Sequence, residues 1–176
     1  MVSRPIVLDK ADAAAIRNRA SRDRGKEFED LVEAACEFYS VSDFAEIEKT
    51  PEPRRVIGRT GDRHSKMICV NEKKAQPDFK GTLHGGRSVV FEAKHTDKDR
   101  ILQSCVTDEQ AKRLNKHEKL GALCFVLVSF GMNEYYRIPW YEWVHMKELY
   151  GRKYMKPSDL GEYRVREAGG VLRFLE

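Results

Sequence analysis

Two short segments carry residues whose types and spacing can do chemistry together: Gln76-Pro77-Asp78-Phe79 and Phe91-Glu92-Ala93-Lys94. Each puts charge where an apolar strand would otherwise continue. Side chains alternate faces along a strand, so Glu92 and Lys94, two residues apart, share one. Asp78 opens the preceding strand and can reach the end of the hairpin where Glu92 lies, which gathers two carboxylates and one ammonium at a sheet edge. Phosphodiester hydrolysis requires such a set: charge on the non-bridging oxygens must be stabilised, a water activated and an alkoxide helped to leave. Carboxylates alone would repel the substrate. A divalent metal held by Asp78 and Glu92 reverses that field, and oxygen ligands with free water positions suit Mg²⁺, with Mn²⁺ able to substitute. Lys94 is then placed to orient or deprotonate the attacking water, or to offset charge in the transition state. A lone Glu-x-Lys is usually a surface ion pair. The Pro-Asp on the partner strand, the apolar Val89-Val90-Phe91 and the basic segments nearby weigh against that here.

The elements that must position these residues follow from periodicity and turn chemistry. Phe28, Leu31, Val32, Ala35 and Tyr39 recur at helical spacing and predict an amphipathic helix from Gly25 to about Ser40, with Glu29 and Glu33 one turn apart on one face. A short strand is expected over Phe44 to Lys49 and is stopped by Thr50-Pro-Glu-Pro53. Two strands, Asp78 to Leu83 and Ser88 to Lys94, flank the turn His84-Gly85-Gly86 and read as a hairpin. A helix from Thr107 to Lys119 follows. Leu123 to Phe130 is the most apolar run and reads as a central strand buried on both faces. Glu134 to Ile138 pairs beside it, Trp140 to Tyr150 reads as helix, and Gly169-Gly170 precedes a last strand near Val171 to Phe174. The order predicts an α/β domain with a mixed central sheet flanked by helices.

Charge distribution says more than the net +4 of this 176-residue chain, because a polyanion needs local density. Residues 1–23 show little apolar periodicity and read as a flexible basic arm or a loosely docked helix that includes Arg17, Arg19 and Arg22. The segment at about 54–76 carries Arg54, Arg55, Arg59, Arg63, Lys66, Lys73 and Lys74 against only Asp62 and Glu72, with residues 67–70 as its one convincing strand. It reads as a projecting basic stalk, and those seven residues are the candidate phosphate contacts. Length bounds the rest of the chain, residues 24–176, to a single domain. Cys36, Cys69, Cys105 and Cys124 form no CxxC pair and read as buried free thiols of a reducing compartment. The five histidines show no metal-ligand spacing. No stretch is apolar enough for a signal or a membrane span, so a cytoplasmic, nucleoid-associated chain of a bacterium or phage-infected cell is expected, with no membrane partner and no small-molecule cofactor.

In these motifs and their order the chain resembles the PD-(D/E)xK (restriction-endonuclease-like) nucleases, and more narrowly the RecU family of Holliday junction resolvases. Arg24-Gly25-Lys26 leading into Phe28-Glu29, then Lys49-Thr-Pro-Glu-Pro53, the basic insertion, Asp78-Phe-Lys-Gly81, Phe91-Glu-Ala-Lys94 and Gln110 all occur in that family's order. The resemblance implies a homodimer that binds four-way DNA junctions in recombination and repair, with the stalk entering the junction centre and paired sites nicking opposing strands. It implies that Asp78 and Glu92 are metal ligands and Lys94 the catalytic lysine, that Glu29 completes the site, and that Gln110 reaches it from the next helix. The residue two before the motif glutamate, acidic in some relatives, is Val90 here, so no further carboxylate is carried to that position. Two other readings fit the same residues: a general nuclease of this fold acting on duplex or single-stranded ends, and a branched-DNA binder without catalysis.

Overall fold

The computed structural model describes the backbone of residues 10–51, 54–60, 66–71 and 76–176, with side chains over 18–51 and 76–176. Helix α1 spans Lys10–Val41. Its buried stripe is Phe28, Val32, Ala35, Cys36 and Tyr39, the amphipathic face that the spacing predicts. The helix itself starts at Lys10 rather than near Gly25, so of the two readings of residues 10–23 the helical one holds, as the first turns of α1 and not a separate flexible arm. Alanine, arginine and lysine are strong helix formers, and extending a docked helix needs no new nucleus. Residues 1–9 of the expected arm lie outside the described residues.

Strand β1, Ala45–Lys49, follows. In the basic segment, β2 (Arg54–Thr60) and β3 (Lys66–Asn71) pair antiparallel with a register shift between Val56 and Gly58. The single strand expected there is thus a two-stranded ribbon, which pairs with itself rather than with the main sheet. Strands β4 (Phe79–Leu83) and β5 (Ser88–Thr96) form the expected hairpin. Gly85 and Gly86 both sit at φ +88, a conformation that side chains other than hydrogen resist. Beyond β5 come β6 (Ile101–Leu102), a 3₁₀ turn over Gln103–Cys105, α2 (Asp108–Lys119), β7 (Leu123–Phe130) and β8 (Glu134–Pro139). The helix expected over 140–150 is two short ones, α3 (Trp140–Val144) and α4 (Met146–Tyr150), meeting at His145. Strand β9 (Tyr154–Met155) pairs with β6, and β10 (Glu167–Ala168) with β11 (Val171–Leu172) across Gly169 and Gly170.

The main sheet has the order β1-β4-β5-β7-β8. Only β5 and β7 run parallel, joined by a crossover that carries α2 over one face, so the sheet is mixed, as expected. On one face α1 covers Ile47, Phe79, Phe91, Ala93, Phe125 and Leu127. On the other, Leu114 of α2 and Trp140 and Trp143 of α3 cover Val90, Val126, Val128 and Ile138. The sheet is therefore the middle of three layers, with β7 buried on both faces. Phe79, Phe91 and Phe125 occupy matched register positions on β4, β5 and β7 and stack at centroid separations of 4.9 and 4.5 Å. Such cross-strand aromatic pairs each add about 0.5–1.5 kcal/mol beyond area burial, and this ladder locks the register one residue away from both Asp78 and Glu92.

Cys36 and Cys124 are buried free thiols, pushed up to about 12 mainly by burial, while Cys105 is exposed, contrary to expectation. Cys69 lies where side chains are not described. Among the described residues no helix is long and apolar enough to cross a membrane.

Gly81 pairs with Ile47 across β1 and β4, and a Cβ there would sit 2.0 Å from the Glu46 carbonyl oxygen. Gly81→Ala is expected to separate β1 from β4 and to destabilise the protein by more than about 2 kcal/mol. Urea unfolding of the variant checks this; an unchanged midpoint would contradict the register.

Candidate active site

The C-terminal ends of β1, β5 and β7 and the N-terminal end of β4 lie at the same edge of the sheet, because β4 is antiparallel to β1 and β5 while β7 is parallel to β5. The Thr50 backbone N–H donates to the Asp78 carbonyl at 2.8 Å, continuing the β1–β4 ladder one step further. The Phe79–Phe91 pair then places Asp78 beside the residues that follow Phe91. Strand alternation turns Phe91 and Ala93 toward α1, and Val90, Glu92 and Lys94 toward α2.

Four of the residues singled out in the sequence meet here. Asp78 Oδ2 accepts from the Ala93 backbone N–H at 3.1 Å and from Lys94 Nζ at 3.0 Å. Lys94 Nζ also donates to Glu92 Oε2 at 2.7 Å. The same Oε2 accepts from Gln110 Nε2. Gln110 Oε1 accepts from the Thr107 backbone N–H and hydroxyl, both at 3.1 Å, and the Gln110 backbone N–H donates back to Thr107 Oγ1 at 3.3 Å. This is a capping box at the start of α2. It occupies the amide oxygen of Gln110 and leaves the amide nitrogen, a donor only, to face Glu92.

The Glu92 side chain is 0% exposed, against 19% for Lys94 and 26% for Asp78. Glu92 Oε1 is buried without a hydrogen-bond partner. Burial, reinforced by the Asp78 charge and opposed by Lys94, pushes the Glu92 carboxyl up to about 8. Burial alone would lower Lys94, but the Asp78 and Glu92 carboxylates outweigh it and hold the ammonium above its usual range.

The donor set fits a hard divalent cation. One carboxylate oxygen is orphaned in a buried position, a second carboxylate stands beside it, and an unpaired buried oxygen is costly unless something positive meets it. Among the described residues no group of three or more His, Cys, Asp or Glu is gathered to enclose a metal. A hard divalent cation that keeps several waters takes only one or two carboxylates, so such a sparse set can hold one.

Glu29 does not join this group. It contacts Lys49 at 3.0 Å, and Lys49 also holds Glu33, so Glu29 is connected to Asp78 through the end of β1 rather than directly. Val90 is buried in the α2-side core and offers no further ligand. Arg54, Arg55, Arg59 and Lys66 lie on β2 and β3, where side chains are not described, and Arg63, Lys73 and Lys74 lie outside the described residues. The sequence reading missed Thr107, although Thr107-x-x-Gln110 is itself a capping-box signature. It also missed the ties on the α1 face at the end of β5, where His95 bridges Ser129 at 3.2 Å and Asp97 at 3.0 Å, and Asp97 pairs with Arg24 at 2.8 Å.

A carboxyl whose folded pKa is raised binds its proton more tightly folded than unfolded. Its contribution is full below the ordinary 4.5 and is lost as pH climbs to about 8. In chelator, wild-type stability should therefore fall across that interval more steeply than that of Glu92→Gln, which has nothing to ionise there. Denaturant unfolding at a series of pH values checks this, and parallel curves for the two proteins would contradict it.

Comparison with known proteins gives the chain its relatives. The family model described as Recombination protein U matches residues 23–175. A protein of Oceanobacillus iheyensis named Holliday junction resolvase RecU is 26% identical over 117 residues, which cover 64% of this chain and 59% of that protein, less than two thirds of its length. The Streptococcus pneumoniae protein of the same name is 25% identical over 154 residues, 84% of this chain and 77% of that one. Among solved structures, Archaeoglobus fulgidus Hjc, described as a Holliday junction resolvase from an archaeal hyperthermophile, aligns at 16% identity and a TM-score of 0.40 over 67% of this chain and 74% of its own. With nearly its whole length matched by the family model, this chain is a member of the RecU, or Recombination protein U, family.

Proposed function

We propose that this chain is a metal-dependent endodeoxyribonuclease that resolves Holliday junctions by paired, symmetric nicks, acting as a homodimer in the bacterial or phage-infected cytoplasm. The observation that carries the chemistry is the buried Glu92 with Oε1 unpartnered beside Asp78 and Lys94. The substrate class is supported by the relatives named Holliday junction resolvase, which align over most of this chain. Two copies are required because symmetric cleavage needs two sites.

Asp78 and Glu92 would hold Mg²⁺, with Mn²⁺ able to replace it. Bound there, the metal would supply Lewis-acid stabilisation of the phosphate and a more acidic water. Lys94 spends two of its three N–H donors on the carboxylates, and the third remains to steer water or a non-bridging phosphate oxygen. Gln110, held by Thr107, fixes Glu92 so that Oε1 faces away from the existing donors. Glu29 acts one step removed, through Lys49 at the end of the strand that borders Asp78. The ribbon of β2 and β3, which carries Arg54, Arg55, Arg59 and Lys66 and is flanked in sequence by Arg63, Lys73 and Lys74, would be the stalk of a nuclease domain over residues 24–176. Its cations would contact phosphates at the junction centre.

End-labelled four-way junction and matched linear duplex, each with Mg²⁺ or chelator, test this reading. Paired nicks at symmetric positions in the junction alone, and only with metal, are the expected result. Asp78→Asn should lower cleavage by about a hundredfold or more while junction affinity persists. Equal cutting of the duplex would make the chain a general nuclease, and tight binding without cutting would make it a junction binder.

A further inference from the structure

A groove of about 1000 Å³ separates the middle of α1 from the point where the chain leaves β1 for the ribbon. One wall is a stripe of the helix with Arg22, Gly25, Lys26 and Glu29 spaced three and four residues apart, and Lys49 and Thr50 form the other. Thr50 also borders the site, since its backbone N–H donates to the Asp78 carbonyl at 2.8 Å. Small-molecule pockets are lined mainly by apolar and aromatic side chains. Here every lining residue except Gly25 and Pro51 is polar or charged.

Gly25 is the unexpected residue of the helical wall. It lies in the interior of α1, where glycine is the poorest helix former after proline because it gives up the most backbone freedom. Nothing inside the chain requires it: the backbone there is helical, and a Cβ would meet no atom within 4 Å among the described residues. Neither a turn nor close packing therefore explains the missing side chain. A bare stretch of helix on the wall of a charged groove leaves room for something from outside the chain to lie against the backbone.

The charges beside Gly25 say what that something is. Arg22 and Lys26, one turn apart, are exposed, and neither has a carboxylate within ion-pair distance among the described residues. Asp23 lies between them in sequence and pairs with neither, while Glu29 and Glu33 are both held by Lys49. Two cations are thus left to meet an anion, in a groove whose volume exceeds what a small ion needs. We propose that this groove seats a sugar–phosphate backbone of the DNA bound at the site, with Arg22 and Lys26 contacting its phosphates and Gly25 letting it lie against α1. The proposal rests on the reading of the chain as a DNA nuclease and adds to it the course of one backbone beside the site.

The test measures affinity for a four-way junction and for linear duplex across a salt series, in Ca²⁺ to prevent cutting, together with the urea midpoint and sedimentation of each protein. Wild type is compared with Gly25→Ala, Arg22→Ala/Lys26→Ala and Arg22→Lys/Lys26→Arg. Gly25→Ala should unfold at higher urea than wild type, because alanine is the better helix former, and yet bind DNA several-fold more weakly. Each phosphate contact contributes about 0.9 to the slope of log affinity against log salt, so the double alanine variant should lose about 2 from the slope while the charge-conserving variant keeps it. If the double alanine variant matches a steep wild-type slope, the groove holds no phosphate and the nuclease reading stands. Gly25→Ala that binds DNA as wild type does, or that unfolds at lower urea, would also overturn the proposal, since the glycine would then not be there to admit a backbone. Weaker binding that comes only with a change in sedimentation would overturn it as well, by making this face a contact between copies of the chain. If wild type binds neither substrate, the nuclease reading falls and this proposal with it.

Discussion

The arrangement depends on a carboxylate buried inside a sheet. Glu92 sits where β5 would otherwise present another apolar residue to α2, and a charge there is tolerable only if it is paired and hydrogen-bonded. Lys94 and Gln110 satisfy one oxygen and nothing in the described protein satisfies the other. A buried oxygen left open is a standing cost to the fold, and sites that bind charged groups are where proteins carry such costs. Burial beside Asp78 raises this carboxyl and makes stability depend on pH, and the open oxygen suits the site to a cation.

The neighbouring structure keeps that carboxylate from relaxing into something more comfortable. The Phe79–Phe91–Phe125 ladder sets the register of three strands from the α1 face. The polar residues alternate to the opposite face, so packing on one side of the sheet positions Asp78, Glu92 and Lys94 on the other. The capping box at the start of α2 performs a second task with bonds that helix termination already needs, because the Thr107–Gln110 contacts also orient the amide that reaches Glu92. Asp78 is fixed through its backbone by Thr50 and through its side chain by the Ala93 N–H. Helix ends, strand ends and side-chain pairs thus converge at one edge of the sheet.

Much of this was legible in the sequence because it is local. The period-two alternation around Glu92 and Lys94, the Gly85-Gly86 turn and the apolar run of β7 each announce themselves within a few residues, and the placement of Asp78 against Glu92 follows from hairpin register. The start of α1 was not legible, since residues 10–23 are helical without an apolar stripe and periodicity reports burial rather than helicity. The basic segment reads as a projecting loop or ribbon with one convincing strand, and its composition carries no separate signal for β2. The separation of Glu29 from the other carboxylates is set by which face of the sheet α1 covers, a tertiary fact that no local spacing encodes.

The most direct measurement of the central claim is anomalous scattering from crystals grown with Mn²⁺. The account predicts a peak at the end of β5 with carboxylate oxygens of both Asp78 and Glu92 at about 2.2 Å, within the range of oxygen ligands to hard divalent ions, and its loss in Glu92→Gln. A peak bound elsewhere, or none at these two residues in a protein that still cleaves DNA with Mn²⁺, would contradict it.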